Sequence, residues 1–232
     1  MLGSPVDALS AGDALARIDR WLDDPWDGAC RHVVTLNPEY VMAARRDRAF
    51  AEAIRRADLS TADGVGIGMA ARLLGGARAS AVGRMTGVDL VEHLCAATAS
   101  STSRLFFLGA APGVADRAAQ RLRARMPQTR IVGSWAGGGP GLRDDAEALA
   151  SIRASGADVV AVAYGAPGQV LWIERNREAL AAAGVRLAVG VGGAFDYLSG
   201  LAPRAPRWIR RVGLEWLFRL VREPSRWRRQ LA

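Results

Sequence analysis

The chain reads as an α/β protein: a Rossmann-like, mostly parallel sheet with helices on both faces, plus a basic helical membrane-docking appendage at its C-terminal end. Three observations predict this. Short β-branched runs alternate with longer Ala-, Leu-, Arg- and Glu-rich stretches, turn residues cluster just after the apolar runs, and positive charge gathers in the last 33 residues. With 232 residues, 50% of them hydrophobic, the chain can bury a full core as one catalytic-sized domain, residues 1–199, followed by an Arg- and Trp-rich segment, residues 200–232. Met1 to Ala14 has neither the basic start nor the continuous apolar stretch of a secretory signal, and no run approaches the roughly 18 apolar residues that cross a bilayer. The expectation is a chain that neither spans a membrane nor is exported by that route.

Taken in order, His32 to Leu36 is the first expected strand, closed by the turn pair Asn37-Pro38. A helix is expected over Ile67 to Leu74, after the turn Ala62-Asp63-Gly64, and another over Leu90 to Ala99, after Gly83 to Asp89. The strand Leu105 to Leu108 leads into Gly109-Ala-Ala-Pro112-Gly113 and the helix Ala115 to Met126. Thr129 to Val132 is the next strand, and the glycine-rich stretch Ala136 to Leu142 reads as a surface loop before the helix Asp144 to Ala154. Val159 to Ala163, the turn Gly165-Ala-Pro167-Gly168 and the helix Gln169 to Ala183 repeat the pattern, and the strand Leu187 to Val191 ends at Gly192-Gly193. In an open α/β sheet ligands bind beyond the carboxyl ends of the strands, so these loops are expected to converge on one site.

Composition excludes several chemistries. No lysine occurs among the 31 basic residues, which rules out a Walker-type phosphate loop, a Schiff-base lysine and a pyridoxal-phosphate anchor. Cys30 and Cys95 form no C-x-x-C pair and read as buried, reduced thiols of a cytosolic protein. His32 and His93 lack partners at metal-ligand spacing, and no Asp-x-Asp pair exists to bridge a metal to a nucleotide diphosphate, so no metal and no cofactor are expected. Phosphate charge, if bound, falls to arginine and backbone N–H groups.

Three segments carry candidate chemistry. Asp63 stands before a glycine-rich turn that opens a helix, where a carboxylate either caps the helix or acts as a base. Gly66 to Ala71 also fits G-x-G-x-x-A, with Asp89 about 20 residues on, which leaves a nicotinamide-dependent oxidoreductase as an alternative; against it, Ala57 to Thr61 is short and polar where that motif needs an apolar strand. Gly83-Arg84-Met85-Thr86-Gly87-Val88-Asp89 is either a capped turn or a guanidinium aimed at phosphate. The tail, Gly200 to Ala232, holds nine arginines against two glutamates, +7 of the formal +8, together with Trp208, Trp216 and Trp227. That mixture suits an anionic membrane surface; a helix merely packed on the domain is the alternative, and no nucleic-acid motif accompanies it.

Together, Thr35-Leu36-Asn37-Pro38-Glu39, Ala62-Asp63-Gly64, Gly83 to Asp89, Gly109 to Gly113, Gly165 to Gln169, Gly190 to Asp196, Arg204-Ala205-Pro206, and the ending Gly213 to Leu220 with Glu223-Pro224-Ser225-Arg226 resemble one family. It is the WecG/TagA/CpsF glycosyltransferases, glycosyltransferase family 26, and the likeness runs from about residue 31 to residue 229. The resemblance implies an inverting, metal-independent hexosyltransferase moving an N-acetylmannosamine-type sugar or glucose from a UDP-sugar to a polyprenyl-diphosphate-linked glycan, for teichoic acid, capsule or exopolysaccharide. It would work at the cytoplasmic membrane face, with a homo-oligomer as an option.

By matching position, the resemblance makes Asp63 the general base and places Thr35, Asn37, Gly109, Gln169, Gly192 and Gly193 along the donor pocket. Arg84 would face the diphosphate, and Arg219, Arg222 and Arg226 would meet the charge of the leaving UDP. One position departs from the family pattern: Val170 follows Gln169 where a glutamate is usual. A non-catalytic membrane adaptor on the same fold is a third reading.

Overall fold

The computed structural model describes residues 3–74, 81–137, 139–206, 209 and 218. The chain opens with α1 (Ala11–Asp23), capped by Ser10, whose hydroxyl accepts the Asp13 N–H, and Ala14, Ile18 and Leu22 bury one face of it, one turn apart. β1 (Arg31–Leu36) leads into α2 (Pro38–Ala44), whose cap Asn37 accepts the Tyr40 N–H. Asp47 does the same for α3 (Arg48–Arg56). These three helices were not read from the sequence, and Asn37-Pro38 proves to be a helix start rather than a plain turn.

β2 (Leu59–Ala62) corrects the reading of that stretch as too polar for a strand: all four residues are buried. Its polar groups are satisfied locally. Ser60 exchanges two hydrogen bonds with Asp7, its N–H donating to Asp7 Oδ2 at 2.8 Å and its carbonyl accepting the Asp7 N–H at 2.9 Å, and the Thr61 hydroxyl donates to the Val34 carbonyl at 3.4 Å. A short strand whose outer edge is covered this way tolerates serine and threonine.

After α4 (Val65–Leu74) and α5 (Gly87–Ser100) come β3 (Leu105–Gly109), α6 (Val114–Arg125), β4 (Ile131–Trp135), α7 (Asp145–Ser155), β5 (Val159–Ala163), α8 (Gly168–Ala182), β6 (Leu187–Gly190) and α9 (Ala194–Leu198). β4 starts two residues later than expected because Thr129 is taken up elsewhere: it is buried, and its hydroxyl meets that of Thr98 at 3.2 Å.

Among the described residues the strands form one parallel sheet in the order β2-β1-β6-β5-β3-β4. Alternate residues of each strand face opposite layers: Val159 and Ala161 join Phe107, Val189 and helices α1, α5, α6 and α9, whereas Val160 and Val162 join Phe106, Leu108 and helices α7 and α8. Val34 and Leu36 extend the second layer onto α2, α3 and α4. Connections that travel toward β4 use α5 and α6 on the first face, and those that travel toward β2 use α2, α3, α7 and α8 on the second, as a single crossover hand requires.

At the amino end of the sheet, His32 is fully buried, with Nδ1 at 3.6 Å from Glu174 Oε2. Burial is the leading influence and lowers its pKa; the Glu174 carboxylate opposes this without reversing it. The unfolded chain therefore takes up the proton first as pH falls, so the stability contributed by the neutral ring is complete above about pH 6.5 and is lost below it. Thermal midpoints are expected to drop between pH 7 and 5, and to drop less in His32→Phe than in the parent. Equal slopes for the two proteins would remove His32 as the cause.

Candidate functional site

Because every strand is parallel, the loops after β1, β2, β3, β5 and β6 emerge at one edge, and this edge gathers Thr35, Asn37, Asp63, Gly109, Gln169, Gly192 and Gly193. Asp63 leaves β2 with its N–H donated to the Leu36 carbonyl at 2.7 Å, which fixes its backbone against the end of β1. Arg84 reaches the same place from far along the chain: it bridges Ala62 in parallel fashion, and Met85 N–H donates to the Ala62 carbonyl at 2.9 Å. The carboxylate and the guanidinium singled out in the sequence therefore flank one strand end, and both side chains are only partly buried.

Gln169 is the centre of this edge. It is 1% exposed, and its Oε1 accepts the N–H groups of Gly165 at 3.1 Å and Gly192 at 2.9 Å, while Nε2 donates to the Tyr40 hydroxyl at 2.5 Å. One amide thus ties the loops after β5 and β6 to the helix after β1. The approach is close enough to dictate its neighbour: a Cβ on Gly190 would lie 2.6 Å from Gln169 Nε2, so only glycine fits there. Val170, which stands in place of the family's usual glutamate, is fully buried in the second layer beside Val34 and Leu36.

Tyr40 was not flagged in the sequence. Burial, foremost, and then the neighbouring charges of Asp63 and Glu39 push its phenol well above the usual value, so it stays neutral and presents a proton or lone pair close to Asp63. Nothing in a linear reading marks it, since its hydroxyl meets Gln169 across 129 positions.

The remaining candidates fall into two groups. Thr35 is buried and donates its hydroxyl to the Gly190 carbonyl at 3.1 Å, and Asn37 spends Oδ1 on the α2 cap, leaving Nδ2 as its donor. Gly109, at φ +90°, lets the ring of Tyr164 approach to 2.8 Å of where a Cβ would stand. The second group supplies backbone. α6, α8 and α9 begin at Gly113, Pro167 and Gly193 with no side-chain cap, unlike α1, α2, α3 and α5. At α8 the Gln169, Val170 and Leu171 N–H groups are taken up by the Gly165 and Pro167 carbonyls, so of the two longer helices it is α6 whose early backbone N–H groups suit an anion at the strand-end edge.

The capped-turn reading of Gly83 to Asp89 holds. Thr86 caps α5, and Asp89 completes the box by accepting the Thr86 N–H. Asp89 also receives Arg204 Nη2 at 2.6 Å, which anchors the start of the C-terminal segment beside the site. Burial disfavours the Asp89 charge, but the bonds from Arg204 and Thr86 outweigh it and hold the carboxyl below the usual carboxylate range. Arg219, Arg222 and Arg226 lie outside the described residues.

The glycine-rich loop expected at the surface folds back toward α8: a Cβ on Gly168 would meet Pro140 at 2.7 Å, and Arg175 ties Pro140 and Asp145 together. The dinucleotide alternative loses its geometry, since Gly66 and Gly68 lie inside α4 and the turn is made by Gly64 at φ +95°. Among the described residues no group of three His, Cys, Asp or Glu is placed to hold a metal ion, and no helix is long and apolar enough to cross a membrane.

A doubly wound parallel sheet with these groups at its carboxyl edge defines a Rossmann-like α/β protein. The chain belongs to the WecG/TagA/CpsF family of glycosyl transferases, whose model matches residues 1–232. It is 36% identical over 200 residues to an N-acetylglucosaminyldiphosphoundecaprenol N-acetyl-beta-D-mannosaminyltransferase of Bacillus spizizenii strain W23, covering 86% of this chain and 74% of that protein. A protein of the same name from Bacillus subtilis strain 168 is 32% identical over 200 residues, with 86% of this chain and 75% of the relative covered.

Replacing Gln169 by Leu removes three hydrogen bonds at once, one buried and two partly buried, and strands two N–H groups and a phenol. The expected cost is about 2–3 kcal/mol in urea unfolding. A loss below about 0.5 kcal/mol would show that the amide does not brace these loops.

Proposed function

We propose that the chain transfers an N-acetylmannosaminyl group from a UDP-sugar to an N-acetylglucosaminyl-diphosphate-polyprenol, with inversion and without a divalent metal, at the cytoplasmic membrane face. The observation that carries this reading is the position of Asp63 at the shared edge, pinned beside β1 and flanked by Arg84 and Tyr40. The names of the two relatives supply the sugar and the acceptor.

In the proposed reaction Asp63 accepts the proton of the acceptor hydroxyl as its oxygen forms a bond to the anomeric carbon. The bond from that carbon to the diphosphate breaks, and its electron pair leaves on UDP. One displacement on an α-linked donor yields a β linkage, and it needs only one carboxylate. Arg84 and the uncapped start of α6 are suited to hold the diphosphate, with Thr35, Asn37, Gly109, Gly192 and Gly193 lining the donor pocket. Gln169 acts on that pocket through the loops it ties. Charge that develops on the leaving group falls to guanidinium groups, Arg219, Arg222 and Arg226 of the tail among them. Residues 1–199 are the catalytic unit in this reading, and residues 200–232 bring the arginines and the membrane contact.

Asp63→Asn is expected to bind donor normally yet transfer at least about 10²-fold more slowly, read by mass spectrometry of a lipid-diphosphate acceptor; near-parental turnover would exclude Asp63 as base. Activity is expected to persist in excess chelator. Loss on chelation with recovery on adding magnesium would overturn metal independence and return the diphosphate to a cation.

A further inference from the structure

α4 is apolar on both sides. Ile67 and Ala71 are buried in the layer that contains Val34 and Leu36. Met69 and Leu73 each stand two residues away from a buried position, about 200° around the helix, and are 56% and 81% exposed. A helix of this composition normally has both faces covered. Among the described residues only one face meets the core.

The surroundings indicate what covers the other face. α4 starts two residues after Asp63, so the ridge borders the strand-end edge. It adjoins α2, where a Cβ on Gly66 would stand 3.4 Å from the Pro38 ring, and α2 exposes Met42 at 46%. Arg45, Arg46 and Arg48 follow Met42 and are exposed, and Arg72 is the one charged residue of the α4 sequence. On the acidic side stand Glu39 and Asp47, the latter engaged in capping α3 through the Phe50 N–H. Exposed methionine and leucine flanked by arginine complement an anionic bilayer surface, where apolar side chains enter the headgroup boundary and guanidinium groups meet phosphate.

We propose that the α4 ridge, Met69 and Leu73 with Met42 beside it, is a membrane-contacting surface of the folded domain itself, separate from the C-terminal tail, and that it seats the strand-end edge against an anionic phospholipid bilayer. The inference rests on the proposed use of a lipid-linked acceptor, because a catalytic edge facing the bilayer is useful only if the acceptor is presented there.

The test uses the full chain with vesicles of phosphatidylglycerol and phosphatidylcholine. Leu73→Cys can be labelled selectively with an environment-sensitive dye, because Cys30 and Cys95 are buried and burial raises their thiols to about 12 and about 11. Vesicles are expected to shift the emission of the dye at position 73 to the blue and leave unchanged the emission of a dye at Gln120→Cys on α6, under the opposite layer. The double variant Met69→Gln/Leu73→Gln is expected to partition onto the vesicles about tenfold more weakly, with an unchanged thermal midpoint and unchanged transfer to a short-chain, water-soluble acceptor.

No shift at position 73, or unchanged partition of the double variant, overturns the proposal. So does a blue-shifted emission before vesicles are added, which would mean that the chain or a second copy covers the ridge. Loss of transfer to the short-chain acceptor overturns it too, by assigning the ridge to the acceptor's own lipid. The vesicle measurements need no sugar donor, so failure of the catalytic reading would show as absent transfer with every donor while the ridge is still decided.

Discussion

The organisation of this molecule depends on one constraint: the strands of its sheet run the same way. Parallel strands need crossovers, crossovers of one hand place helices on both faces, and the loops that follow the strands must then open at one edge. Thr35, Asp63, Gly109, Gln169 and Gly192 span most of the chain, yet each follows or closes a strand or begins the helix after it. Their convergence is therefore a consequence of topology before it is one of chemistry.

Hydrogen bonding turns that convergence into a defined site. Gln169 binds two glycine N–H groups with one oxygen and a tyrosine hydroxyl with its nitrogen, and it does so at nearly full burial. An amide is suited to this because it carries acceptor and donor on one rigid plane without a charge to desolvate. Gly165 and Gly192 turn through positive φ to present their N–H groups, and Gly190 leaves the amide its space. A second tie, Arg204 to Asp89, holds residue 204 against the first turn of α5.

Charge in this protein is carried by arginine alone on the cationic side. Arginine is always protonated and offers a planar fork that matches carboxylate and phosphate. The start of α6, which has no side-chain cap, offers neutral backbone donors at the same edge.

Much of this was legible in order along the chain. The β-branched runs at 32–36, 105–108, 159–163 and 187–191 gave their strands through composition alone, because a strand covered on both faces must be apolar throughout. The family motifs gave Asp63, Arg84, Asn37 and the chain's membership. What escaped was whatever depended on partners distant in sequence. β2 contains Ser60 and Thr61, whose polar groups are acceptable only because Asp7 and Val34 satisfy them. α1, α2 and α3 are short amphipathic helices whose caps, Ser10, Asn37 and Asp47, look like ordinary turn residues until the following N–H is seen to point at them. Tyr40 has no local signature at all. The sequence by itself determined the fold class and the family, because periodicity and motif spacing are local properties. Only the tertiary structure decided that Gln169 joins three loops, that Arg204 clasps Asp89 and that α4 leaves an apolar face uncovered, because each is a relation between surfaces brought together by folding.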